Sequence, residues 1–140
     1  MKKIHTYLLF LFFICFWQTT FGQSIKQISQ EYQSCITQNI PTTKSSLDCS
    51  NASTESYQKL MKLRVEELEK LLEPPTAKLL KDNQEAWKQW MQAEMQFFVV
   101  FYTELYDGGT LSRVSVLNEK NKLLKKRILE LENKISLFER

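Results

Sequence analysis

After residue 22 the chain carries glycine at only two positions, Gly108 and Gly109, and proline at only three, Pro41, Pro74 and Pro75. These are the strongest local breakers of regular structure, so their scarcity leaves long stretches that nothing interrupts. Within each stretch the apolar residues recur three or four positions apart, the period of a helix with one buried face. Four helical pieces follow. The first runs from about Ser24 to Asn39, with a narrow stripe of Ile25, Ile28, Tyr32, Cys35 and Ile36, and ends because Pro41 disfavours helix at Ile40. A Thr-, Ser- and Lys-rich linker is expected over 40–53. It holds Cys49 and the sequon Asn51-Ala52-Ser53, whose match to the glycosylation pattern is read as chance.

The second helix is expected to start near Ser53 or Thr54, either of which can cap it, and to stop at Pro74. Its stripe is Tyr57, Leu60, Met61, Arg64, Val65, Leu68, Leu71 and Leu72. The third starts at Pro75, a residue suited to a first turn, and runs to about Tyr106. Leu80, Gln84, Trp87, Met91, Glu94, Phe98, Phe101 and Leu105 alternate by four and three along it, a heptad seam that Trp90, Phe97 and Tyr102 widen. Asp107-Gly108-Gly109-Thr110 reads as a tight turn, one glycine closing the helix in the left-handed conformation and Thr110 capping the next. The fourth helix runs from about Leu111 to near Arg140 on Val114, Leu117, Asn121, Leu124, Ile128, Leu131, Ile135 and Phe138. Short connections make neighbouring helices antiparallel. The expected fold is therefore an all-α antiparallel bundle of three main helices, the last two forming a long hairpin, with the first helix tied on. The aromatic-rich third helix is expected to be the centre of the core, since each large apolar side chain buried is worth roughly 1.5–3 kcal/mol.

The first 22 residues stand apart. Lys2 and Lys3 precede an apolar run from Tyr7 to Trp17, and Thr20 and Gly22 take the −3 and −1 positions of a cleavage site. That order is a secretory signal peptide; the run is too short to span about 30 Å of hydrocarbon comfortably. Cys15 follows Ile14 and not a small residue, which argues against a lipidated anchor. The domain expectation is a signal peptide over 1–22 and a single helical domain over 23–140, exported to the periplasm or beyond the cell and free of the membrane after cleavage. Loss of Lys2 and Lys3 leaves seventeen basic against sixteen acidic residues, a net charge of about +1. Nucleic acid as a partner needs a surplus of cations that this surface lacks. Cys35 and Cys49 remain, and an even pair in an exported chain reads as a disulfide. Closing a loop of about 15 residues is worth roughly 3 kcal/mol. A metal site is the weaker reading, because two thiols without a histidine do not fill a zinc shell.

Little in the sequence carries chemistry. His5, the lone histidine, leaves with the signal peptide, and no Gly-rich phosphate loop exists. Glu66, Glu67 and Glu69 sit in a mixed-charge helix face that reads as solvated surface. A nucleophile needs an adjacent base, and none is singled out, so the chain is read as a non-enzyme without cofactor or metal. Polar residues inside the seams are more telling. Gln84, Glu94 and Asn121 should face the interior, and a buried carboxylate needs a partner. Glu94 is expected to pair with Arg127 or Arg64, making Gln84, Glu94 and Arg127 a structural polar core. Trp87 and Trp90 are expected to be core residues.

Gln84-Glu85-Ala86-Trp87 followed by Ala93-Glu94 resembles the signature helix of the LprI-type lysozyme-inhibitor domain family. Cys35 and Cys49 are similar to that family's first cysteine pair, Tyr57 and Leu60 to the start of its second helix, Gly108-Gly109-Thr110 to its turn, and Arg127 and Leu131 to its last helix. The chain departs at Met95 and near Glu119, where the family pattern has a second cysteine pair, so the long hairpin should be held by packing alone. The resemblance implies a protein partner, lysozyme, in the cell envelope. A basic lysozyme favours acidic or polar loop residues, which points to Glu104, Asp107, Gly108, Gly109 and Thr110 at the turn. The alternative is a structural or self-associating module that forms a homo-oligomer through Ile135, Leu137 and Phe138 of the C-terminal helix.

Overall fold

The computed structural model describes residues 23–38 and 42–139; the expected signal peptide, and the expected end of the first helix at Pro41, lie outside the described residues. Four α-helices follow in order: α1 Ile25–Gln38, α2 Thr43–Leu71, α3 Pro74–Leu105 and α4 Thr110–Ile135. No strand occurs among the described residues. The all-α bundle expected from the breakers is the fold, and Cys35 is bonded to Cys49 with Cα atoms 5.8 Å apart.

The largest departure from the sequence reading is where α2 begins. It starts at Thr43, not at Ser53 or Thr54, so most of the expected linker is helix. Thr42 caps it: its Oγ1 accepts from the Ser45 N–H at 3.1 Å, while the Thr42 N–H donates to Ser45 Oγ at 3.1 Å. This is a capping box with serine in the place usual for Glu or Gln. The segment's Ser, Thr, Asp and Asn residues are weak helix formers. Tertiary contacts outweigh that: Cys49 is bonded to α1, and Ser50, Ser53 and Thr54 are buried against α4. Other boundaries move by a residue or so. Pro74 and Pro75 occupy the first turn of α3 behind Glu73 as N-cap. Gly109, not Thr110, is the N-cap of α4, with no side-chain capping bond.

The core is Ile28 of α1, Tyr57, Leu60, Met61 and Leu68 of α2, Leu80 of α3, and Leu124, Ile128, Leu131 and Ile135 of α4. Its spine is therefore the pairing of α2 with α4. Thr54 meets Asn121 and Arg64 meets Glu132, so α2 and α4 run parallel, with α3 antiparallel to both. The expectation that α3 is the centre of the core is overturned. Only Leu80 and Gln84 of α3 are fully buried, while Trp90, Phe97, Val100, Phe101 and Leu105 are exposed. The reason is geometric. α1 occupies a flank of α2, α2 and α3 touch little, and the second half of α3 leans on α4 alone. The end of α4 also differs from expectation. The helix stops at Ile135, which is buried, so of the three apolar residues expected to be exposed there only Leu137 and Phe138 are.

Candidate functional site

Two polar clusters lie inside the bundle. In the first, α4 sends Arg127 toward α3. Its Nε and Nη2 both donate to Gln84 Oε1 at 3.0 Å, Nη2 also donates to Asn83 Oδ1 at 2.7 Å, and Nη1 reaches Glu130 Oε2 at 3.2 Å. The guanidinium lies over the Trp87 ring, 5.6 Å from its centroid. A cation this buried is tolerated because its donors are matched and a carboxylate stands beside it. In the second, Thr54 Oγ1 donates to Asn121 Oδ1 at 2.7 Å and Asn121 Nδ2 donates to Ser53 Oγ at 2.8 Å. Both clusters join helices and expose little to a ligand.

Glu94 does not join either cluster. It is half-buried on α3, and the two arginines proposed for it are engaged elsewhere, Arg127 with Gln84, Asn83 and Glu130, and Arg64 with Glu67 and Glu132 at 2.9 Å each. Burial works against the Arg64 charge, but the hydrogen bonds to Glu132 and Glu67 outweigh it and hold the proton more firmly than usual. The spacing that put Glu94 in the seam is correct for α3. The seam itself tips away from α2 beyond Trp87, so a carboxylate there never comes opposite those cations.

Further along, α3 and α4 form the free end of the hairpin. Tyr102 donates to Glu119 Oε1 at 3.0 Å and Lys122 donates to the same oxygen at 2.8 Å. The Lys122 hydrogen bond, helped by Tyr102, holds the Glu119 carboxyl below its ordinary range against the opposite pull of burial. This contact links the two helices near the position where the family pattern has its second cysteine pair, so packing is not the only tie. At the turn, Asp107 has φ 50° and Gly108 has φ 73°. The left-handed residue that ends α3 is thus Asp107, among the non-glycine residues that tolerate this conformation best. The Gly108 N–H donates to Thr103 O at 2.9 Å, closing a Schellman motif. Glu104, Asp107, Gly108, Gly109 and Thr110 are all exposed and close in space, since one turn holds them.

Trp90 is exposed on the outer flank of α3 and not in the core. Its neighbours on that flank form a second apolar series, Ala86, Trp90, Ala93, Phe97 and Val100, again spaced by four and three. The series was legible in the sequence, but the stronger inner seam of the same helix masks it. Among the described residues no group of three His, Cys, Asp or Glu side chains could hold a metal ion, and no helix is long and apolar enough to cross a membrane. A shallow apolar groove of about 530 Å³, lined by Leu68, Leu72, Leu80 and Phe138 among others, opens between the α2–α3 bend and the end of α4.

These features define a small disulfide-tied helical bundle whose buried polar side chains bond across helices and whose α3–α4 hairpin carries many exposed side chains. The chain belongs to the lysozyme inhibitor LprI family, whose model matches residues 23–131. No curated protein and no solved structure matches it. The residues that carry the family resemblance converge in space: Gln84 and Trp87 hold Arg127, while Tyr57, Leu60 and Leu131 are core.

Proposed function

We propose that this chain is an exported, non-catalytic protein-binding module of the cell envelope that inhibits lysozyme. The observation that carries the reading is membership of the lysozyme inhibitor LprI family over residues 23–131. Export is supported by the signal-peptide pattern of residues 1–22, which lies wholly ahead of the matched region, and by a disulfide, a bond favoured in oxidising compartments. A non-enzymatic role is supported by two thiols engaged in that disulfide and by internal polar groups whose donors are spent on one another.

The binding end in this proposal is the α3–α4 turn. Glu104 and Asp107 place two carboxylates on an exposed, narrow projection that suits entry into the cleft of a basic enzyme. The Schellman closure keeps that projection rigid, which lowers the ordering cost of binding. The test is lysozyme turnover on cell-wall substrate with micromolar protein recovered from the periplasm. Inhibition is expected, and it should weaken about tenfold in Glu104→Lys, since opposed charge at an interface rim slows association. Asp107→Asn, which keeps the left-handed conformation accessible, tests the second carboxylate without disturbing the turn. Unchanged turnover at micromolar excess would remove the inhibitor reading.

A further inference from the structure

The outer flank of α3 is a second helix-packing seam that no other described helix covers, and we infer that it docks an antiparallel second copy of this chain. Leu79, Ala86, Trp90, Ala93, Phe97 and Val100 follow one another at spacings of seven, four, three, four and three, the repeat of a coiled-coil face. All six are exposed. A helix apolar on both faces, as α3 is from Met95 to Tyr102, belongs in an interior. Here only one of the faces is covered.

Three observations favour a second copy over a different partner. The first is area. Trp90 and Phe97 are 47% and 59% exposed, and Leu79 and Val100 are 66% and 58% exposed. With aromatic side chains offering about 200 Å² each and the aliphatic ones somewhat less, these four leave roughly 400 Å² uncovered. That is the size of the apolar patches that are often functional on a monomer. With the intervening small and rim residues it approaches the ~800 Å² per partner of a stable interface.

The second is self-complementarity, which a two-fold interface requires. The seam alternates small and large: Ala86, Trp90, Ala93, Phe97. Two such helices set antiparallel bring Trp90 of one over Ala93 of the other and Phe97 over Ala86 of the other, each large ring entering a gap left by a methyl group. The third is charge. From Ala86 to Phe101 this flank carries no lysine, arginine or aspartate, its rim residues Gln89 and Gln96 are neutral, and the half-buried Glu94 is the one carboxylate at its edge. Two identical faces with so little charge hardly repel, whereas a strongly basic partner finds a single half-buried carboxylate to pair with. The seam lies up the helix from the turn proposed to meet lysozyme, so the two surfaces are separable.

The sequence reading placed self-association at the C-terminal helix through Ile135, Leu137 and Phe138. Burial of Ile135 removes the central residue of that surface, and the outer flank of α3 takes its place.

The experiment is sedimentation velocity on the full protein, expressed with its own leader and recovered from the periplasm, from 1 to 100 µM. A reversible dimer is expected, and Phe97→Glu should raise its dissociation constant at least about a hundredfold, as expected for a central aromatic anchor. Because Phe97 is exposed in the monomer, the variant should keep its helical circular dichroism and melting temperature, which separates lost docking from lost folding. A second variant, Ala93→Cys, should form a disulfide between copies, while Lys126→Cys on the exposed side of α4 should not. A strict monomer at 100 µM, a dimer untouched by Phe97→Glu, or a monomer whose seam is covered only when lysozyme or lipid vesicles are added would each overturn the inference. The readout is mass, so the result stands whether or not lysozyme is inhibited.

Discussion

Arg127→Met is the substitution that tests the internal architecture most directly. It keeps the apolar stem and removes the guanidinium. Two N–H donors then leave Gln84 Oε1, both at 3.0 Å in a buried site. Hydrogen bonds from a charged group are worth about 1.5–3 kcal/mol, and a buried acceptor left without a donor costs about 1–3 kcal/mol. The contact over the Trp87 ring adds about 0.5–1 kcal/mol. The bond to Glu130 counts for little, because that carboxylate is 40% exposed. Methionine regains part of the total through its own burial. The expected loss is about 3 kcal/mol, or about 12 °C in melting temperature for a domain of this size.

Urea unfolding followed by circular dichroism, with the disulfide intact, measures it. Gln84→Leu alone should cost about 2–3 kcal/mol, because it strands the cation. The double variant should lose less than either single, because an apolar pair of similar volume replaces the polar pair. A loss below about 1 kcal/mol in Arg127→Met, or strict additivity in the double variant, would refute the claim that these two side chains act as one unit.

Two further outcomes follow from the same geometry. Replacing Cys35 and Cys49 together by serine should cost about 3 kcal/mol through the freed loop entropy, and should expose Lys26 on α1 to trypsin while α3 and α4 stay protected; limited proteolysis with mass spectrometry distinguishes this from global unfolding. At Glu119 the folded-state pKa lies below the unfolded value, so its contribution is complete above about pH 4.3 and disappears as pH falls through the folded pKa. Glu119→Gln should flatten that part of the melting-temperature profile between pH 5 and 3, by under about 1 kcal/mol because Lys122 is 69% exposed. An unchanged acid limb would show that the Tyr102–Glu119–Lys122 contact contributes nothing to stability.

Much of the candidate site was visible in the linear pattern. Gln84 and Asn121 could be assigned to the interior because a polar residue in a heptad seam has nowhere else to go while its helix is packed, although the same rule placed Glu94 there and it is only half-buried; the turn could be placed because Asp107-Gly108-Gly109 interrupts two periodic segments. The partners were not visible. Gln84 rather than Glu94 receives Arg127 because the choice depends on how far α3 advances along α4 and on the tilt that carries Glu94 away. The helical state of 43–53 was hidden for a related reason. Ser50, Ser53 and Thr54 continue the stripe of Tyr57 and Leu60, but small polar residues look like linker until a close-packed neighbour such as Asn121 is known.

The sequence by itself determined the all-helical class, the antiparallel succession of the helices and the cysteine tie, since these rest on local spacing, on breakers at three places and on the two thiols that follow residue 22. Tertiary structure alone decided which amphipathic face wins burial. The pattern of α3 offers two apolar seams and cannot rank them, because hydrophobic free energy follows the area actually removed from water. α2 pairs with α4 and leaves one flank of α3 uncovered among the described residues, and that choice turns the helix expected at the centre of the core into an exposed apolar surface.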